Sequence, residues 1–289
     1  MNQIGLVLEG GGMRGLYTAG VLEFFLDQGW QFPYVIGVSA GACNALSYLS
    51  QQHGRNLRVN TDYVKDKRYM GWQSFRKTHS FFGMDMIFDE IPNKLDPFDY
   101  RALLSCPSRL VVGVTDCATG RPAYFEKEKA FLEKDTRIIR ASSSIPVFSP
   151  IVEYGEQRFL DGGTSDPIPV RKALSDGCQK VVVVLTRNRD YVKKPQHFKK
   201  IYHRYFKQYP KMAECLDRRH IVYNDTTKLL RQLEQEGKAL VIAPEQPLKI
   251  GRFEKNRAKL IALYDEGYRE ASRLREEILH FAGKSIVHQ

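Results

Sequence analysis

"LVLEGGGMRG", residues 6–15, is an apolar run that breaks into Gly10-Gly11-Gly12-Met13-Arg14-Gly15. From Ile4 to Glu9 the chain is leucine-rich and β-branched and stops at glycine, as a buried parallel strand does. Behind it, "LYTAGVLEFFLDQG" (16–29) has helical spacing, with Val21, Leu22, Phe25 and Leu26 on one face and Gly29 as the stop. A strand, a glycine turn and a helix open a βαβ unit. Bare amides at the end of such a strand suit three anions: a dinucleotide pyrophosphate, a nucleotide triphosphate, or the oxyanion of an acyl transfer.

The pattern recurs along the chain. "YVIGVSAGACNALSYLS" (34–50) reads as a strand through Val38, a small-residue turn and a helix from about Ala42. "RLVVGVTDCATGRPAYFE" (109–126) reads as two strands joined at Ala118-Thr119-Gly120. Residues 135–163 give a short helix, a loop holding Pro146 and Pro150, and a hairpin around Gly155, and "KVVVVLT" (180–186) is another buried strand. Strands alternating with helices predict an open, mainly parallel sheet with helices on both faces. The last third differs: helices over 196–236, a strand near 239–243, and one long amphipathic helix over 254–282. The expected division is 4–190 as one domain and 191–289 as a mainly helical region able to return its strand to the sheet.

Charge divides the same way. The net +11 over 289 residues falls as +2 in residues 1–190 and +9 in residues 191–289. The five cysteines show no ligand-like spacing, so they are expected to be reduced, with no metal site and no cofactor. No apolar run reaches the roughly 18–20 residues of a membrane span, and the N-terminus enters a strand at once. A cytoplasmic protein is expected.

The remainder of the sequence chooses among the three anions. Gly10-x-Gly12-x-x-Gly15 fits a dinucleotide fingerprint, but that fingerprint needs a carboxylate after the second strand, where Gly37-Val38-Ser39-Ala40-Gly41 stands. A triphosphate loop needs Lys then Ser or Thr after its last glycine, yet Leu16 and Tyr17 follow Gly15. Acyl transfer needs a nucleophile, and Ser39 sits on a strand-to-helix turn tight enough to demand Gly37 and Gly41 as neighbours. The serine needs a base. None of the seven histidines lies at a strand-end turn, and five fall in the basic last third. Asp161, in "FLDGG" with Gly162 and Gly163, is a better candidate than any histidine, although taken alone a plain Asp-Gly turn is the readier explanation of it.

These motifs resemble the patatin-like phospholipase family. The resemblance rests on Gly10–Gly15 with Arg14, on Gly37–Gly41, on Ala141–Pro146 ("ASSSIP") and on Asp161-Gly162-Gly163, in family order. It implies a three-layer α/β/α fold, a Ser39–Asp161 dyad, an oxyanion hole from the Gly11 and Gly12 amides with Arg14 shaping the loop, and hydrolysis of lipid acyl esters. A catalytically silent lipid- or membrane-binding module on the same fold is the alternative.

Two further segments bear on substrate. "YMGWQSFRKTHSFFGMDMIF" (69–88) gathers Met70, Trp72, Phe75, Phe81, Phe82, Met84, Met86 and Phe88, which suit an acyl chain or plain packing. "KKPQHFKKIYHRYFKQYPK" (193–211) holds seven Lys or Arg, no acid and five aromatics. It reads as a peripheral contact with an anionic membrane, at the inner face for a cytoplasmic protein, or as a solvated helix whose aromatics pack inward. No nucleic-acid module accompanies it, so a nucleic-acid partner is not expected.

Overall fold

The computed structural model describes residues 4–131, 134–283 and 286–288. Its strands in chain order are β1 Ile4–Leu8, β2 Trp30–Gln31, β3 Tyr34–Val38, β4 Arg109–Asp116, β5 Pro122–Glu126, β6 Val152–Tyr154, β7 Gln157–Asp161, β8 Lys180–Val184, β9 Ala239–Ile242 and β10 Val287–His288. Eight form one sheet in the order β6-β7-β4-β3-β1-β8-β9, with β5 also on β4. The pairs β4–β3, β3–β1, β1–β8 and β8–β9 are parallel, whereas β5, β7 and β6 add antiparallel pairs at one side.

β1, β3 and Val181–Val184 of β8 are apolar at every position because both faces of the sheet are covered. Successive residues alternate between two cores. Leu6, Leu8, Val35, Val112, Val182 and Val184 join the helices Gly15–Asp27, Ala40–Leu49 and Arg257–Arg273. Val7, Ile36, Val111, Val181 and Val183 join the helices Val170–Ser175 and Pro210–Gln235 on the opposite face. This is the three-layer α/β/α architecture that the sequence predicts, with a helix-rich C-terminal region. That region is built into the sheet domain. β9 extends the main sheet, and Tyr17 of the first helix donates its hydroxyl to the carboxylate of buried Glu270.

Several elements differ from the sequence expectation. The second helix begins at Ala40, two residues early, because Ser39 alone turns the chain. The long C-terminal helix breaks at Leu274 into Arg257–Arg273 and Arg275–Ala282, with no glycine or proline to mark it. Met86–Leu95 is a wide π-helix around Pro92. β2 and β10 pair as two-residue strands, too short for any periodic signal.

Candidate active site

β1 and β3 are parallel neighbours, so both present their C-terminal ends at one edge of the sheet. β1 delivers the glycine loop there and β3 delivers Ser39. Ser39 has φ 52° and ψ −128°, backbone that non-glycine residues rarely adopt. Its N–H donates to Ser142 Oγ at 2.8 Å, and that hydroxyl donates onward to the Gly113 carbonyl at 2.7 Å. Its carbonyl accepts from Cys43 N–H at 3.0 Å. Gly41 is required by close approach, since a methyl group there would stand 2.5 Å from the Leu8 carbonyl oxygen. Gly37, two residues before the serine, is packed against the backbone of Gly41 and Ala42.

Asp161 ends β7, which β4 holds in register through Val114. Ser39 Oγ donates to Asp161 Oδ2 at 2.8 Å, and each residue is 7% exposed. The other carboxylate oxygen, Oδ1, accepts from Gly163 N–H at 2.7 Å, while Gly162 lies against the Gly113 carbonyl. The Asp161 N–H donates to the Ser144 carbonyl at 2.8 Å. The "ASSSIP" segment therefore holds the backbone of both residues, Ser142 accepting from the Ser39 N–H and Ser144 from the Asp161 N–H. Burial pushes the Asp161 carboxyl above the usual aspartate range, against the Ser39 hydrogen bond, Arg219, Arg252 and Gly163 N–H.

The glycine loop flanks Ser39. A methyl group on Gly10 would stand 3.1 Å from Ser39 Cβ, and one on Gly15 would stand 2.7 Å from Ala40 Cβ. Among the described residues the N–H groups of Gly11 and Gly12 have no hydrogen-bond partner. Met13 N–H, next in line, donates to the Arg252 carbonyl at 3.1 Å. Arg14 is 6% exposed, with a buried Nε that has no partner among the described residues.

Two cavities meet at Ser39, and no described histidine lines either. The first is apolar, walled by Ala40, Leu46, Val59, Phe82, Met84 and Phe88. The aromatic segment is thus divided: Phe82, Met84 and Phe88 face this cavity, Met70 and Met86 pack in the core, and Trp72 is 67% exposed. The second cavity is cationic, with Arg14, Arg187, Lys193, Arg219 and Arg252 in its wall. Sequence reasoning missed four of these five. The signal was the positive charge of the last third, which supplies Lys193, Arg219 and Arg252.

A mainly parallel three-layer sheet with a glycine loop and a strained serine at one strand edge defines a class, and the sequence comparison agrees. The chain belongs to the patatin-like phospholipase family, which it matches over residues 6–174. A second family, a domain of unknown function (DUF6363), matches residues 209–283. The uncharacterized protein YjjU of Escherichia coli is 33% identical over 210 residues, 69% of this chain and 56% of that protein. Lysophospholipase NTE1 of Saccharomyces cerevisiae is 26% identical over 197 residues, 63% of this chain and 10% of that protein. The chain thus spans 56% of one relative and 10% of the other. The crystal structure of VipD from Legionella pneumophila is similar at a TM-score of 0.47 and 12% identity, covering 96% of this chain and 67% of that one.

Proposed function

We propose that this protein is a serine acyl hydrolase of lipid esters, with Ser39 as nucleophile and Asp161 as its base. The observation that carries the reading is the 2.8 Å hydrogen bond from Ser39 Oγ to Asp161 Oδ2, on a strained turn beside the glycine loop. Ser39 Oγ attacks the ester carbonyl carbon while its proton passes to Asp161 Oδ2. The carbonyl oxygen becomes an oxyanion and accepts from the Gly11 and Gly12 N–H groups, with the dipole of helix Ala40–Leu49 adding to the field. The C–O bond then breaks, the departing alcohol takes the proton from Asp161, and the acyl group stays on Ser39. Water repeats the sequence: it gives a proton to Asp161, attacks the acyl carbon and releases the acid, and Ser39 recovers its proton.

The apolar cavity takes the acyl chain. Residues 4–190 form the catalytic unit in this reading, and 191–289 supply part of the second cavity and a membrane-facing surface. Among the described residues no helix is long and apolar enough to cross a membrane. The contact with lipid is accordingly assigned to the exposed face of the helix Lys199–Tyr205, where Ile201 and Tyr205 follow exposed Phe198.

Labelling by a fluorophosphonate tests the chemistry. Wild type is expected to label and to hydrolyse a p-nitrophenyl ester, and folded Ser39→Ala to do neither, with a loss on the order of 10³-fold or more. Absence of labelling in wild type would leave a silent lipid-binding module.

A further inference from the structure

The second cavity collects positive charge and leaves it unpaired. Arg14, Arg187, Lys193, Arg219 and Arg252 share its wall, and none of the five forms an ion pair with a carboxylate among the described residues. Some other cations of this part of the chain are paired: Arg189 with Glu234, Lys199 with Asp217, Arg231 with Asp190. The cavity's two acids do not answer the charge. Asp161 is hydrogen-bonded to Ser39 and Gly163, and Glu9 is buried and accepts from Thr186 N–H at 2.6 Å.

The cations are held in place without being neutralised. Arg219 Nε donates to the Gly163 carbonyl at 2.7 Å, which sets that guanidinium beside the Asp161 turn. Arg187 stands over the Tyr191 ring at 4.5 Å and Lys193 over the Tyr223 ring at 5.4 Å. Burial, then Arg219 and Arg252, push the Lys193 ammonium down to about 7, and burial with Arg219 and Arg14 lowers Arg252. Such a cluster is costly to bury unless an anion enters it.

Resting on the acyl-hydrolase reading, we propose that the ester substrate carries a phosphomonoester head group, seated in this cationic cavity while its acyl chain lies in the apolar one. The two cavities meet at Ser39, so an ester bond at the serine sends its acyl and alcohol sides apart. A phosphomonoester brings about −1.5 to −2 charges and three strong acceptor oxygens, matching a cluster of guanidinium forks. A choline or ethanolamine head group would carry its own cation in among five others. An aromatic cage for that ammonium is not available, because Arg187 and Lys193 already face the Tyr191 and Tyr223 rings.

The test compares a 1-acylglycerol 3-phosphate with the 1-acylglycerophosphocholine of the same chain, both kept monomeric, with a neutral p-nitrophenyl ester as reference. A second arm measures binding of glycerol 3-phosphate and of glycerophosphocholine to Ser39→Ala protein, where no turnover intervenes. The phosphomonoester is expected to be favoured at least about tenfold in kcat/KM, shrinking with salt, and glycerol 3-phosphate to bind the tighter. Lys193→Gln and Arg187→Gln should pull the kcat/KM ratio of the two lipids toward one. Equal kcat/KM for the two head groups, with the neutral ester still hydrolysed, overturns the head-group proposal and leaves the serine hydrolase standing. Selective binding of glycerol 3-phosphate by a protein that hydrolyses no ester overturns the hydrolase reading and leaves an anion site. Because the wild-type preference and the binding arm need no cavity variant, a misfolded substitution cannot rescue the idea.

Discussion

Ser39 is held in a backbone conformation that costs on the order of 1–3 kcal/mol for a side-chain-bearing residue. Hydrogen bonds to Ser142 and Asp161, and one from Cys43 N–H, keep it there. The neighbouring Asp161 carries a second cost. Burial raises its carboxyl above the ordinary value of 3.8, and the contacts that favour the ionised form do not offset it. In the proposed mechanism the base must be ionised to accept the Ser39 proton, so activity should be lost as pH falls through the raised value. The acid limb of kcat/KM is therefore expected above 3.8, the value of an unburied aspartate. Asp161→Asn is expected to lose activity on the order of 10³-fold at every pH, because an amide accepts no proton. A wild-type profile that stays flat to about pH 4, or a slow pH-independent Asn variant within tenfold of wild type, would place the base elsewhere. The turns that carry Ser39 and Asp161 were legible in the sequence because glycines mark both, Gly37 and Gly41 around the serine and Gly162-Gly163 after the aspartate. Ser142 was visible only as part of a motif, since its role depends on a carbonyl 29 residues away.

The glycine loop as an element is clamped from outside the unit that produces it. Residues 243–256 cross it without regular secondary structure, Arg252 accepting from Met13 N–H and Lys255 Nζ donating to the Met70 carbonyl at 2.6 Å. Nothing in the sequence announced this strap, because an irregular segment has no period and its contacts lie 185 residues back or more. The clamp makes Gly12 a sensitive point. Its φ of +57° favours glycine, and a methyl group there would stand 2.6 Å from Arg252 Cγ and 2.7 Å from the Arg252 carbonyl oxygen. Gly237 has a comparable φ of +66° but nothing within 4 Å. Gly237→Ala is therefore expected to cost only the backbone term, about 1 kcal/mol, with activity intact. Gly12→Ala must also displace the strap or the amide beside it. It should cost a further ~1–3 kcal/mol and lower kcat at least about tenfold. Thermal melts and ester kinetics on the two variants check this, and equal behaviour would deny the strap any hold on the loop.

At the scale of the whole molecule, the parallel sheet was legible because strands buried on both faces are apolar at every position, as Val181–Val184 are. The destination of the C-terminal charge was not, because a run of lysines has the same composition whether it faces water, lipid or a cavity. The structure divides the 193–211 segment. Lys193 turns into the second cavity, Tyr202 and Phe206 are buried, and Lys199 is paired with Asp217. What remains outward is Phe198 (76% exposed), Ile201 and Tyr205, with Lys200, Arg204 and Lys207 exposed and without ion pairs among the described residues. An apolar edge flanked by free cations fits the surface of an anionic bilayer. Attraction to such a surface contributes about 1 kcal/mol per Lys or Arg, so replacing Lys200, Arg204 and Lys207 by Gln should weaken binding to phosphatidylserine-containing vesicles roughly 100-fold at low salt. Phe198→Ser with Ile201→Ser should weaken binding to neutral and anionic vesicles alike, since lost apolar burial is indifferent to charge. Because these side chains are apart from Ser39 and both cavities, hydrolysis of a water-soluble ester should stay within about twofold in each variant. Vesicle co-sedimentation across a salt series reads both effects, and wild-type binding that ignores both lipid charge and salt would return this helix to plain solvent exposure.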